Sequence, residues 1–275
     1  MELSRQLLLS LAIPVMLPIA FTTTEIRPSS SKPITLTTNQ EQTISFGMNL
    51  VRTPFKIEND RLRYSIGGQY PQIQAANDRR VLRFNREVRR TIARHYVRLT
   101  KPNLKELRKR IRDMSEIEIL DTAEFDYEVL FQSEELLSIR FHDRNYSFPQ
   151  VHDVSGYFTL NYDIKRAAAV SLRSLFKPNA KFYRKLVELC AREFNKQGIS
   201  IYYEDGSLVK FDADFILKYL HDRAEWNITD RGLVLNFDQC TFPDCAHGAP
   251  SVTIPYTDFR EILNHRSPVY RIIRI

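Results

Sequence analysis

Glycine is scarce, with 8 residues in 275, and none gathers into the clustered loop that cradles a phosphate. Cysteine is scarcer still, with 3, too few for a small fold stapled by disulfides. Beyond residue 24 no apolar run reaches the ~20 residues that a membrane helix needs. There is no Gly-x-Ser-x-Gly elbow, no Ser–His or Cys–His arrangement that can be placed, and no internal repeat. These absences argue against phosphate-loop chemistry, disulfide mini-scaffolds and multi-span membrane proteins. What is present is ordinary globular material. An apolar fraction of 43 % with 27 % charged residues excludes whole-chain disorder, and the length suits one large or two small domains.

The amino terminus sets the expected compartment. Residues 1–24 read as an export signal: Arg5, diluted by Glu2, precedes an apolar run from Leu7 to Phe21. That run is short for a bilayer and is interrupted by Pro14 and Pro18. No clean Ala-x-Ala precedes Thr22, so a cleaved signal peptide, an uncleaved signal anchor and a buried core helix all stand as readings. Residues 25–42, rich in Ser, Thr and Pro, read as a linker or loose strand, and residues 43–275 as the folded domain. The expected location is extracytoplasmic, periplasmic or secreted, with membrane contact only through an uncleaved signal. Export makes disulfides chemically possible. Cys240 and Cys245 flank the turn-like Thr-Phe-Pro-Asp and form a candidate disulfide. With His247 they also offer three zinc-type ligands, but no fourth is identified, so neither metal nor cofactor is expected. Cys190, inside an apolar helical pattern, reads as a buried free thiol.

Hydrophobic spacing gives the elements. Short β-type runs occupy Thr43–Phe46, Phe55–Ile57 and Leu62–Ile66, the last broken by Gly67-Gly68. Val81, Phe84, Val88, Ile92, Tyr96 and Leu99 recur at helical spacing after a cap at Asn77 or Asp78. Leu104, Leu107, Ile111 and Met114 resume it beyond Pro102, so two consecutive helices are predicted. Alternation at Phe125, Tyr127, Val129 and Phe131, then at Leu137, Ile139 and Phe141, then from Val154 to Ile164, predicts half-buried antiparallel strands. A loop from Asp143 to Asp153 joins the second and third of these. Helices are predicted over Ala180–Gln197, capped by Gly198, and over Asp212–Arg223. Strands follow at Ile199–Tyr203, Glu225–Ile228, Gly232–Phe237 and Ser251–Pro255, with a last helix from near Thr257. Strands and helices mixed without βαβ regularity predict an α+β fold, a mainly antiparallel mixed sheet packed with several helices.

Charge is unevenly distributed. The chain carries +7 overall, but residues 78–113 hold 14 basic residues against 4 acidic, leaving a slightly acidic remainder. Arg79, Arg83, Arg86, Arg90, Arg94 and Arg98 are spaced by three or four and lie opposite the Val81/Phe84/Val88/Ile92 face at about 100° per residue. This ladder is either a solvated helix back or an anion-binding face. Guanidinium forks suit carboxylates and phosphates. Nucleic acid would match the charge, but an exported protein rarely meets it, and interleaved exposed aromatics are lacking. Glu124, Asp126 and Glu128 read as solvent-facing alternates of one strand rather than an acid/base pair. Tyr202, Tyr203, Trp226 and Tyr256 could stack on carbohydrate, though strand packing is the simpler reading. His95 reads as a core-edge histidine.

Several segments carry a resemblance through their order and spacing. They are Tyr70-Pro71-Gln72-Ile73, Phe84-Asn85, Leu137-Ser138-Ile139-Arg140-Phe141, His152, Asn161-Tyr162-Asp163-Ile164 and Leu172-Arg173-Ser174-Leu175-Phe176. Trp226-Asn227-Ile228-Thr229-Asp230-Arg231-Gly232-Leu233, Gly248 and Val252-Thr253-Ile254-Pro255-Tyr256 complete the set. Over residues 60–263 the chain resembles the extracytoplasmic family that includes the lysozyme-sensing ectodomain of the anti-sigma factor RsiV and the non-catalytic N-terminal domain of the peptidoglycan deacetylase PdaC, many of whose members carry only a domain-of-unknown-function label. The resemblance implies an α+β binding module at the cell envelope. Departures limit what transfers. With few residues before Leu7 and an end at Ile275, neither sigma-factor inhibition nor deacetylation is expected. Pro149-Gln150-Val151 replaces the family's glycine and alanine before His152, so no ligand role is carried to that histidine. The expected function is non-enzymatic binding of an envelope polymer or envelope protein. Sensing or inhibiting a lysozyme-type wall hydrolase, and a hydrolase with an unrecognised site, are the alternatives.

Overall fold

The alternating runs become strands, and the two helical periods become helices that cross between them. The computed structural model describes residues 49–74, 78–114, 116–117, 119–197, 216–218, 220, 225–239, 241 and 248–272. The signal, the linker, the strands read at 43–46 and 199–203, Gly198, Cys240, Cys245 and His247 lie outside them.

Strands β1 (Leu50–Asn59), β2 (Tyr64–Ile73), β3 (Asp121–Gln132), β4 (Leu136–Ser147), β5 (Val154–Asp163) and β6 (Ala168–Ala169) form one sheet in that order. All its pairs are antiparallel except β2–β3. A parallel pair needs a crossover, and helices α1 (Arg79–His95), α2 (Val97–Thr100) and α3 (Leu104–Asp113) supply it. After a 3₁₀ turn at Leu172–Leu175 comes α4 (Phe182–Lys196). Strands β7 (Glu225–Ile228), β8 (Gly232–Asn236) and β9 (Ser251–Pro255) make a second, antiparallel sheet. A 3₁₀ segment, Tyr256–Ile262, and α5 (Pro268–Ile272) follow. The fold is α+β.

Each sheet has its own core. Val81, Phe84, Val88 and Ile92 of α1 are buried against Ile66, Phe125, Phe141, Phe158 and Tyr162 of the larger sheet. Each such aromatic or branched side chain, fully buried, contributes about 1.5–3 kcal/mol. Phe182, Leu186, Leu189, Cys190 and Phe194 of α4 are buried with Trp226, Leu233, Leu235, Val252 and Ile254 of the smaller sheet. Cys190 is a free, buried thiol, as its sequence context predicts, and burial pushes its pKa far up.

Between the sheets lies a buried polar cluster, beside Leu136 of β4, which joins the core of the smaller sheet. Ser138, Asn161, Asn227 and Asn236 are all buried. Ser138 Oγ donates to Asn161 Oδ1 at 2.7 Å, and Asn227 Nδ2 donates to Ser138 Oγ and to the Ile139 carbonyl at 3.0 Å. Asn161 Nδ2 donates to the Trp226 carbonyl at 2.7 Å, and Asn236 Nδ2 to Asn227 Oδ1 at 2.9 Å. The Ile228 amide donates to both Ser138 Oγ and Asn161 Oδ1. Arg140 reaches Asn236 Oδ1 at 2.9 Å. Four of these side chains, Ser138, Arg140, Asn161 and Asn227, belong to the segments singled out in the sequence, and their role here is structural.

Four details differ from the sequence reading. Gly67-Gly68 does not end a strand, because β2 continues through it to Ile73. At Gly68 an added Cβ would lie 2.2 Å from the Phe125 carbonyl oxygen, so glycine here allows close approach of β3 rather than a turn. The first helix is interrupted at Tyr96 as well as at Pro102. The Tyr96 ring is buried between Phe125 and Phe158. Strand β4 runs on to Ser147, which places Asp143 inside the sheet and not in a loop. The terminal segment expected as a helix near Thr257 is 3₁₀ from Tyr256, with a non-helical kink at Phe259.

Asn227→Ala would strip partners from Ser138 and Asn236 in a site closed to water. The expected loss is about 2–4 kcal/mol of folding stability, read as a lower urea midpoint. Glu124→Ala, at an exposed position of β3, should stay within about 0.5 kcal/mol of the parent.

Candidate anion-binding face

Helix α1 is positioned at both ends by its own side chains. Asp78 caps its start, accepting from the Arg80 amide at 2.7 Å. Asn85 hydrogen-bonds both backbone groups of Ile73, accepting from its amide at 3.0 Å and donating to its carbonyl at 3.1 Å. Phe84 meets Tyr162 edge-on at 5.3 Å. At the far end His95 stacks on Phe158 at 4.1 Å, and its Nε2 donates to Asp143 Oδ2 at 2.7 Å. These contacts fix the rotation of the helix, and the opposite face turns to solvent.

That exposed face carries Arg79, Arg83, Arg86, Arg90 and Arg94, with Arg98 following on α2. From Arg79 to Arg94 the rise is about 22 Å, in steps of about 5 Å. Two carboxylates offset part of the charge. Asp78 pairs with Arg80 at 2.7 Å, and Glu87 pairs with Arg94 at 3.0 Å and Arg90 at 3.5 Å. Arg79, Arg83, Arg86 and Arg98 have no ion-pair or hydrogen-bond partner among the described residues. The ladder is therefore an exposed array of six cations, four of them open. Its field reaches the core beneath: burial pushes Tyr162 up to about 12, Glu87 adds to the rise, and Arg83 opposes it.

The other predicted residues scatter. Asp126 pairs with Arg52, while Glu128 accepts from Arg140 Nε at 2.6 Å and His142 Nε2 at 2.5 Å. Glu128 is thus part of a cross-strand cluster, not a free solvent-facing alternate. Desolvation raises its pKa, but the His142 and Arg140 hydrogen bonds outweigh this and lower it overall. Trp226 and Tyr256 are buried, which leaves no stacking platform at either. His152 is exposed before β5. Cys240, Cys245 and His247 lie outside the described residues, among which no three His, Cys, Asp or Glu side chains are grouped to hold a metal. No helix of the described residues is long and apolar enough to cross a membrane.

One titratable cluster escapes the sequence reading. Where α1, β4, β5 and the second sheet meet, Asp143 is buried, and its Oδ1 has no hydrogen-bond partner among the described residues. An added Cβ on Gly156 would fall 2.8 Å from Asp238 Oδ1 and 3.0 Å from Asp143 Oδ1, so glycine makes room for both acids. Nearby, Glu225 Oε2 accepts from Thr159 Oγ1 at 2.8 Å. Burial raises Glu225 to about 7; Asp238 adds to this, and Thr159 and His95 act against it. A signal was available: the alternation Ile139, Phe141, Asp143 places a carboxylate at a core-facing position.

No family model matches the chain, and no curated protein does. Solved structures do. A DUF3298 family member from Bacteroides fragilis superposes with a TM-score of 0.52 at 11 % identity, over 82 % of this chain and 96 % of that one. A DUF3298 family protein from Pseudomonas aeruginosa gives 0.50 at 14 % identity, over 79 % and 94 %. The chain has the fold of these DUF3298 proteins. At such identities the likeness speaks for the fold alone.

The Glu225 carboxyl yields a pH test. Burial pushes its pKa in the folded state up to about 7, from an ordinary value of 4.5. The folded state therefore binds more protons across that window, and stability falls as pH rises through it, by at most about 3 kcal/mol. Glu225→Gln keeps an acceptor for Thr159 and removes the charge. Urea midpoints measured from about pH 5 to about pH 8 should fall less in the variant than in the parent.

Proposed function

We propose that this protein is an exported, non-enzymatic binding module of the cell envelope, and that it engages an anionic wall component through the exposed arginine face of α1. The observation that carries the reading is the open part of the ladder on α1: Arg79, Arg83 and Arg86 stand unpaired among the described residues, along one face of a helix whose other face is locked into the core. A rigid row of guanidinium groups at about 5 Å intervals suits a linear polymer bearing carboxylates or phosphates, because each fork can take one anion without reordering the helix. Export, read from residues 1–24, makes an envelope polymer the anion such a face would meet.

The RsiV- and PdaC-type resemblance favours a second reading, a sensor or inhibitor of a lysozyme-type hydrolase. Its motif residues Ser138, Asn161 and Asn227 sit in the joint between the sheets, so they support a shared scaffold more than a shared ligand. Lysozyme is itself basic and would be repelled by this face. A hydrolase partner would have to dock elsewhere.

Co-sedimentation with an anionic wall polymer tests the first reading. The parent should bind at low salt and release as salt screens the charges. The combined change Arg83→Glu, Arg86→Glu, Arg90→Glu and Arg94→Glu should abolish binding while leaving the thermal midpoint close to the parent's. Undiminished binding by that variant would falsify the proposal. Retention of a lysozyme-type enzyme at high salt, by parent and variant alike, would favour the second reading.

A further inference from the structure

Pro102 stops α2, and the chain turns at Asn103, whose side chain caps α3 by accepting from the Lys105 amide at 3.0 Å. Helix α3 is then held by buried Leu107, by the Arg63 hydrogen bond to the Met114 carbonyl at its end, and by Arg110. Arg110 makes a two-pronged pair with buried Asp121, at 3.1 Å for each contact, and donates to the Phe148 carbonyl at 2.8 Å. Between this anchor and α2 the structure leaves a cleft of about 320 Å³. That lies within the range of small-molecule sites.

The lining of the cleft is asymmetric. Leu99, Pro102 and Leu107 give it an apolar wall, with Leu107 buried and Leu99 and Pro102 part-exposed. Arg98 and Lys101 also line it, both exposed, and among the described residues neither side chain has an ion-pair or hydrogen-bond partner. Glu106 is the single rim carboxylate. Arg110 and Asp121 at the base neutralise one another. The lining therefore combines two cations and one carboxylate without ion-pair partners among the described residues, the polar side chains of Asn103 and Ser147, and the apolar Leu99, Pro102 and Leu107.

We infer that this cleft is a binding site for a small carboxylate on an apolar body with an adjacent amide N–H, the chemistry of an acylated apolar amino acid. The carboxylate would lie between Arg98 and Lys101, where a guanidinium fork and a mobile ammonium can share it. The apolar body covers Leu99, Pro102 and Leu107, and the amide N–H donates to Glu106. Glu106 also disfavours a ligand with a second negative charge at that end. The site is separate from the polymer face proposed for α1, with which it shares only Arg98.

Titration of the full chain with N-acetyl-leucine, followed by proton–nitrogen correlation NMR, tests this. Saturable shifts are expected around residues 98–110, with a dissociation constant of about 1 mM or tighter. N-acetyl-leucinamide, which lacks the charge, and inorganic phosphate, which lacks the body, should each bind at least about tenfold more weakly. Arg98→Ala with Lys101→Ala should abolish the shifts. Lys101→Arg should preserve them, and so should the Arg83/Arg86/Arg90/Arg94 charge reversal, which separates failure here from failure of the polymer reading. The exposed positions make folding of the double variant the expected result, checked by its thermal midpoint. The inference is overturned by equal binding of the amide or of phosphate, by shifts that survive the double substitution, or by no saturable shift up to about 10 mM.

Discussion

Among the described residues, a buried polar joint sets how the two sheets meet. Ser138 and Asn161 on the larger sheet interlock with Asn227, Asn236 and the Ile228 amide on the smaller one, all away from water. Buried amides and hydroxyls are costly unless paired, and paired in only one geometry. An apolar seam would tolerate sliding by a residue, whereas this network satisfies its groups in one register. The register decides which ends of β5, β7 and β8 come together, and so where Thr159, Glu225 and Asp238 meet.

Charge is sorted with respect to that joint. The acids Asp143, Asp238 and Glu225 collect on its inner side around β5, where His95 is the facing basic group on α1. The arginines of α1 face outward. One helix thus presents cations to solvent and a single histidine to an acidic interior. The acids help hold its end in place through the 2.7 Å His95–Asp143 contact. Exposed ion pairs add little to stability, so folding does not require these arginines to be paired.

Much of the architecture was legible in the residues. The apolar period of three and four from Val81 to Ile92 predicts both the helix and its buried face, and the structure agrees. Strands at Glu225–Ile228 and Ser251–Pro255 coincide with their predicted limits. The misreadings have a common cause. Gly67-Gly68 looks like a break because glycine disfavours strands locally, yet β3 approaches so closely that it needs the missing side chain at Gly68. Asp143 and Glu128 look like surface residues because acids usually are, yet strands and helices distant in the chain supply their partners. In the candidate sites the ladder is visible from spacing alone, whereas the cleft beside it is not, since its wall requires α3 to be folded back by Arg110 onto Asp121.

By itself the sequence determined what depends on neighbours along the chain: helix and strand periods, the segregation of arginine to one helix face, and the α+β class. These follow from repeats of 3.6 and 2 residues, which any local segment carries. The tertiary structure alone decided which polar groups are buried together. Ser138 and Asn227 lie 89 positions apart, and Arg140 and Asn236 lie 96 apart. No local pattern encodes such pairings, because the energy that selects them comes from excluding water around both partners at once, and that happens only when the two sheets close.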